Sequence, residues 1–249
     1  MSTRRLLLDM PPPPSGRLVL TGEHAHYLCR VLRLRAGDRF MAAFGAAGEA
    51  TATIVEVDGE RVLAEVGELG PVAREAGVAV TLLVGVPKGH KLDLVVGKAT
   101  ELGVRAIIPV YCLRSVPRHD PARLAGRLER WRRIARSAAT QSGRTEPPAI
   151  EEPASLTDVL RLSRSHDVAV AFAWEGEGMS VVSLAEALRG APRRVALLVG
   201  PEGGLAPEEL HAAVDAGWRL VSLGPRTLRC ETAAVAASTL ALYLLGELG

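Results

Sequence analysis

Leu197-Leu198-Val199-Gly200-Pro201-Glu202-Gly203-Gly204 and, further on, Leu220-Val221-Ser222-Leu223-Gly224-Pro225-Arg226-Thr227-Leu228-Arg229-Cys230-Glu231-Thr232 are the two stretches from which the rest of the chain is read. Each follows a short apolar run, Val195–Val199 and Arg219–Leu223. A short apolar run that stops at Gly-Pro reads as a buried strand ending in a tight turn. Each turn leads into helical sequence. Pro207-Glu208-Glu209-Leu210 places proline early and acids at the positive end of a helix, and Thr232 opens a long Ala/Leu stretch. The unit is strand, glycine turn, helix, twice over. In open α/β sheets ligands sit beyond the carboxyl ends of strands, where both turns fall. Glycines there let a ligand approach bare N–H and C=O groups.

A lone Gly-Pro-x-Gly-Gly is also a common tight loop. The sequence holds neither G-x-G-x-x-G nor G-x-x-x-x-G-K-[ST], which argues against a Rossmann dinucleotide site and a P-loop. Two such turns in succession, the second carrying Arg226, Arg229 and Glu231, point to a binding site.

Composition sets the outer bounds. The chain has 249 residues, 48% hydrophobic and 23% charged, as in globular proteins. No apolar run reaches the ~20 residues of a membrane span, and the N-terminal apolar segment is too short for a signal peptide. Cys29, Cys112 and Cys230 are scattered, with no C-x-x-C, so neither a zinc site nor a disulfide framework is expected. No metal is expected, and a reducing cytoplasm is the simplest compartment. Formal net charge is only +2, but residues 88–144 carry thirteen Lys and Arg against four acids. A local basic block of this kind is the footprint of a phosphate-backbone partner or of a solvated helix face.

Residues 1–70 read as a small β domain. Polar and apolar residues alternate over Arg39–Phe44 and Glu49–Val57, and Asp58-Gly59 marks a hairpin before Arg61–Val66. Residues 22–38 read as one short helix running into a strand, with Arg30, Arg33 and Arg35 exposed. Residues 71–77 read as a linker. From 78 to 249 strands and helices alternate. Val78–Val86 is a continuous apolar run, as in a buried parallel strand. Lys88 to Gly103 holds all three lysines, Lys88, Lys91 and Lys98, on a helix with apolar spacing. Arg105–Val110 is the next strand, ended by Pro109 and Tyr111. Ala122–Ser142 is an amphipathic helix rich in arginine, Arg127 among them, with Trp131 on its core stripe. The helix from Thr232 to Leu245 is apolar nearly all round. Such a helix is buried on more than one side, at a subunit interface or inside its own subunit.

Gly200-Pro201-Glu202-Gly203-Gly204, followed by Leu223-Gly224-x-Arg226-x-Leu228-Arg229-x-Glu231-Thr232-Ala233, closely resembles the RsmE-type 16S rRNA (uracil-N3) methyltransferases of the SPOUT class. His24, His26, Val31-Leu32-Arg33, Gly37-Asp38, Lys98-Ala99-Thr100-Glu101-Leu102-Gly103-Val104 and Gln141-Ser142-Gly143-Arg144 extend the resemblance over nearly the whole chain. Ser137 and Thr140 depart from it, standing where acids are usual.

The resemblance implies an α/β fold: a SPOUT-type trefoil-knotted parallel-sheet methyltransferase domain preceded by a small PUA-like β-barrel that holds RNA. It implies S-adenosylmethionine held mainly by main-chain groups at Leu198, Val199, Gly200, Gly203, Leu223, Gly224 and Leu228, with the apolar side chains of Leu198, Leu223 and Leu228 covering its ring faces. It also implies a homodimer acting on 16S rRNA, free or within the small ribosomal subunit.

Methylating uracil N3 requires the base held in line with the methyl group, its developing anion stabilised and its proton accepted. Arg229 and Arg144 are the candidates for anion stabilisation, since arginine stays cationic and offers a planar fork. Glu202 is a candidate for proton acceptance or for orienting an arginine, or else it caps its own loop. Glu231 reads as a dipole complement of the last helix. Arg30, Arg33, Lys88, Lys91, Lys98 and Arg127 are candidates for RNA contact. Two other readings are a non-catalytic RNA-binding module of the same fold and a SPOUT enzyme acting on another RNA position, such as a ribose 2′-OH.

Overall fold

The structure is a computed structural model that describes residues 4–70, 75–115, 121–173 and 180–249. The chain forms two compact units, residues 1–75 with 139–146, and residues 76–138 with 147–249. Residues 71–74 of the expected linker lie outside the described residues.

The first unit contains β1 (Arg5–Leu7), β2 (Arg17–Thr21), α1 (Gly22–His26), β3 (Arg39–Ala43), β4 (Glu49–Asp58) and β5 (Arg61–Val66). The strands form one sheet in the order β1-β3-β4-β5-β2, with β1 parallel to β3 and the other pairs antiparallel. Alternation drives it: Leu18, Leu20, Phe40, Ile54, Val62 and Ala64 point inward, onto Leu28. Gly59, at φ +52, makes the hairpin between β4 and β5.

Residues 22–38 depart from the expected helix and strand. After α1 comes a π-helical turn, Tyr27–Val31, and no strand begins before Arg39. The reason is local. The Asp38 carboxylate accepts the main-chain N–H of Arg35 at 2.8 Å, and Gly37 takes φ +89, so the chain turns instead of extending. Arg33 itself sits at φ +56, unusual for a residue with a side chain.

Residues 139–146, which the sequence pattern assigns to the second domain, group with the first unit. Ala139 is buried with Leu7 and Ala43. Glu75 accepts from Arg144 Nε at 3.0 Å and Nη2 at 2.9 Å, and from the main-chain N–H groups of Thr145 and Glu146. Burial opposes ionisation of Glu75, but the Arg144 contacts and these N–H groups outweigh it, and its pKa lies below the ordinary 4.5.

A carboxyl that binds its proton more weakly when folded stabilises the fold above its unfolded pKa. That stability is lost as pH falls through and below 4.5. Glu75→Ala is expected to lose about 3 kcal/mol, because it removes the carboxylate that pairs with the buried Arg144 guanidinium. Thermal melting at pH 7 checks this, and the gap between wild type and variant should close toward pH 3. An unchanged gap at low pH would refute the assignment.

The second unit contains β6 (Ala79–Gly85), α2 (Lys91–Leu102), β7 (Ala106–Tyr111), α3 (Pro121–Ser142, its last turn belonging to the first unit), β8 (Ala149–Ile150), β9 (Ala154–Ser155) and α4 (Leu156–Leu160). It continues through β10 (Val168–Phe172), α5 (Leu184–Ala187), β11 (Arg194–Val199), α6 (Pro207–Asp215), β12 (Arg219–Val221) and α7 (Cys230–Leu244). Every pairing is parallel, in the order β12-β10-β11-β6-β7-β8, with β9 also on β7.

Both faces of this sheet are covered, which is why its strands read as unbroken apolar runs. Val80, Leu82, Val84, Val195, Leu197 and Val199 face α2, α3 and α7. Leu83, Ala196 and Leu198 face α4 and α6. Trp131 is 2% exposed and donates its indole N–H to Asp93 at 3.0 Å, so it is core and no stacking platform.

Pro109 does not end β7. It pairs in register with Val84 in mid-strand. On the other side β8 pairs with Ala106 and Ile107, and β9 with Val110 and Tyr111. Pro109 falls in the gap between them, where a strand tolerates a missing N–H.

The last connection positions the site. β12 is the edge strand beyond β10, yet α7 begins beside β6, where the Cys230 thiol lies 3.8 Å from the Gly85 carbonyl oxygen. Residues 222–229 therefore travel back past the ends of β10 and β11, three strand spacings or about 14 Å. Among the described residues no helix is long and apolar enough to cross a membrane.

Candidate functional site

Parallel strands put their carboxyl ends on one edge of the sheet, so the turns after β6, β11 and β12 meet there. The first two touch. A Cβ on Gly85 would lie 2.4 Å from the ring nitrogen and Cδ of Pro201, and one on Gly200 would lie 2.8 Å from the Leu205 nitrogen. No side chain fits at either position. The Gly204 N–H closes the turn on the Pro201 carbonyl at 2.9 Å, with Gly204 at φ +71.

Glu202 projects from this turn toward the start of α2. Its Oε1 accepts from the Lys91 ammonium at 2.7 Å and from the Lys88 main-chain N–H at 3.0 Å. Burial pushes the carboxyl pKa up, but hydrogen bonds from Lys91, from its own N–H and from Lys88 outweigh this and hold it below the usual carboxylate range. The hydrogen bond to Glu202 raises the Lys91 pKa; Glu231 adds to the rise and Arg229 opposes it.

Those last two residues belong to the start of α7, so the second glycine turn delivers its charges to the first. Burial, then Glu202 and Glu231, push the Cys230 thiol up to about 12 and leave it unreactive. Arg229 is the N-cap of α7, exposed, and its guanidinium makes no hydrogen bond or ion pair among the described residues.

A further clamp, which sequence reasoning missed, also holds the first turn. Arg114, just beyond β7, donates Nη1 to the carbonyl of Gly203 at 2.8 Å and to that of Leu205 at 3.4 Å. Its Cβ would lie 3.1 Å from a side chain on Gly203. Glu209, 5% exposed, accepts from the Leu113 N–H at 2.7 Å and the Ala206 N–H at 2.8 Å. Glu209 reads from sequence as an acid at a helix start. Its second partner, Leu113, is too far away along the chain to be legible there, and Arg114 carries no local signal at all.

The expected cofactor positions divide into two kinds. Leu198 and Val199 are 0% and 3% exposed, their side chains packed into opposite cores. The expectation that Leu198 covers a ring face fails, because its side chain is committed to the α4–α6 side of the sheet. Any ligand contact there is through main chain. Gly200 is buried and Gly203 exposed, whereas Leu223, Gly224 and Leu228 are half-buried. Gly224 has φ +97, with its N–H on the Ser222 hydroxyl at 3.0 Å. Leu223 and Leu228 make no main-chain hydrogen bond among the described residues.

This arrangement fits S-adenosylmethionine. Two half-exposed leucines with unpaired N–H and C=O groups suit an adenine edge and ring face. Glu231 Oε2, a buried carboxylate oxygen without a hydrogen-bond partner, suits a cationic ligand.

Arg144 belongs to the first unit, where it is 2% exposed and bonded to Glu75. Arg30 and Arg33 are exposed on the first unit. Lys88 and Lys98 are exposed and Arg127 is half-buried on the second, and Lys98 pairs with Glu101 at 2.9 Å.

Comparison with known proteins agrees in both units. Residues 74–242 match the family model described as an RNA methyltransferase domain, and residues 20–67 match an RNA methyltransferase PUA domain. The chain is 33% identical over 227 residues to the ribosomal RNA small subunit methyltransferase E of Bacillus subtilis, covering 90% of this chain and 89% of that protein. It is 34% identical over 238 residues to the Mycobacterium bovis protein of the same name, covering 92% and 87%. Among solved structures, the ribosomal RNA small subunit methyltransferase E of Neisseria gonorrhoeae, bound to S-adenosyl methionine, superposes with a TM-score of 0.87 at 28% identity, covering 97% of this chain and 98% of that one. A methyltransferase of Legionella pneumophila in complex with the same cofactor superposes at 0.84 and 27% identity, covering 97% of each chain.

Proposed function

We infer the reaction from one premise: the chain belongs to the RNA methyltransferase family of the ribosomal RNA small subunit methyltransferase E type, a SPOUT α/β fold preceded by a PUA-like domain. We propose that it transfers a methyl group from S-adenosylmethionine to N3 of a uridine in 16S rRNA, in the cytoplasm, on free rRNA or on the small ribosomal subunit. The observation that carries this is the meeting of the two glycine turns beside an unpaired Arg229.

The cofactor supplies an activated methyl on a sulfonium. In the proposal the main chain at Leu198, Val199, Gly200, Gly203, Leu223, Gly224 and Leu228 holds it, and the side chains of Leu223 and Leu228 cover its base. Arg229 donates to a uracil carbonyl edge and stabilises the imide anion as the N3–C bond forms and the C–S bond breaks. The N3 proton passes to solvent. Glu202, doubly donated to and with a depressed pKa, is a poor acceptor for that proton, and its role is to fix Lys91 at the rim. Arg144, its charge taken up by Glu75, acts by holding its own segment.

RNA phosphates are met by Lys88, Lys91, Lys98 and Arg127 on the second unit, and by Arg30 and Arg33 on the first. The left-handed Arg33 follows a π-helical turn, a distortion frequent at functional sites. The return of residues 222–229 across two strand ends supports a trefoil knot at the cofactor turns.

The test is to incubate the protein with methyl-labelled cofactor and 16S rRNA, digest the RNA and identify the nucleoside by mass spectrometry. The expected product is 3-methyluridine. Label on a ribose, or none at all, would sink the proposal.

We also propose a homodimer through α7. Leu240, Tyr243 and Leu244 are 44%, 61% and 43% exposed on it, and Leu94 on the neighbouring α2 is 52% exposed. An exposed apolar cluster of this kind marks an interface. Leu240→Glu is expected to halve the mass found by sedimentation. A dimer that survives it would move the interface elsewhere.

A further inference from the structure

The turn that carries Glu202 and Gly203 is held by the Lys88 main-chain N–H and by the side chains of Lys91 and Arg114. The Arg114 grip is unusual in its economy of donors. Only Nη1 is used, on the Gly203 and Leu205 carbonyls, and the side chain is exposed. Nε and Nη2 have no partner among the described residues. A guanidinium presents its donors in one planar fork, and a pair of them on one edge matches two oxygens of a phosphate.

We propose that Arg114 is a positioning residue that ties an RNA phosphate to the cofactor turn, so that RNA and S-adenosylmethionine bind cooperatively. This rests on the reaction proposed above. With one nitrogen on the turn and two on a phosphate, the side chain is pinned at both ends when RNA is present. The two carbonyls it holds then stop moving, and the turn spends more of its time in the shape that receives the cofactor. By linkage the cofactor must tighten RNA binding by the same factor. The cation also sits beside Gly203 without contributing a group to the reacting atoms, so its loss acts on binding and not on chemistry.

The experiment is calorimetric titration of S-adenosylmethionine into wild type, Arg114→Ala and Arg114→Lys, each with and without a 16S rRNA transcript. Arg114 is exposed, so all three should melt at the same temperature. Without RNA, Arg114→Ala is expected to bind the cofactor about tenfold more weakly, the equivalent of one charge-assisted hydrogen bond. RNA should tighten cofactor binding in wild type and leave Arg114→Ala nearly unchanged. Arg114→Lys, which keeps the charge and several donors, should recover part of both effects. In turnover, Arg114→Ala should raise KM for the cofactor and leave kcat at saturation unchanged.

Cofactor affinity of Arg114→Ala equal to wild type, or RNA-induced tightening that persists in it, overturns the inference alone. Wild type that binds no cofactor overturns the proposed reaction and this inference with it.

Discussion

Gly85→Ala is expected to weaken S-adenosylmethionine binding by at least about thirtyfold while the protein still folds. The added methyl would lie 2.4 Å from Pro201, in the backbone and ring of the neighbouring turn, where nothing flexible can give way. Relieving such overpacking costs about 2 kcal/mol, and 1.4 kcal/mol is a tenfold change in affinity. Pro201 must move, and it carries Gly200 and Glu202 with it. Gly85 itself contacts no ligand in the proposed site, so the effect reads the packing of two turns and not a lost contact. Calorimetry gives the affinity and thermal melting gives the fold. Affinity within threefold of wild type would show that the close approach of β6 and β11 does not shape the cofactor site.

Arg229→Ala is expected to lower kcat by about a hundred- to a thousandfold, the usual cost of removing one donor aimed at a developing anion. Cofactor affinity should hardly change, because Arg229 makes no hydrogen bond to either turn and is exposed at the head of α7. Arg229→Lys should recover only part of the rate, since an ammonium lacks the planar fork. Single-turnover kinetics with saturating cofactor and 16S rRNA separates this from a binding defect. A kcat within threefold of wild type would remove Arg229 from the reaction and leave the anion without a named partner.

Much of this was legible in the residues because local pattern and global fold agree. The two-residue period of β4 and β5 and the unbroken apolar runs of β6 and β11 announce a half-buried sheet and a fully buried one. The turns at Gly200 and Gly224 were legible because glycine and proline have few other uses at strand ends.

What escaped was set by pairings distant in sequence. Glu209 carries the signal of a helix start but spends one oxygen on Leu113, and Arg114 reaches Gly203 across 89 residues. Arg144 reads as a reactive cation until Glu75, 69 residues earlier, is seen to neutralise it. Pro109 reads as a strand end because period says nothing about which neighbour is missing. Leu198 reads as a ligand wall, and only the sheet's second helical layer shows its side chain to be spoken for.

The path of residues 222–229 has a consequence for how the protein is made. α7 packs on α2 and on β6, the first strand of its own unit. Pairing the two ends of a unit is slow, because chain closure must come before the contacts reward it. A nascent chain that has not yet reached Cys230 holds every strand of its sheet and the residues of both glycine turns but lacks the helix that seats the second of them, so α7 is the gate between unfinished and working protein.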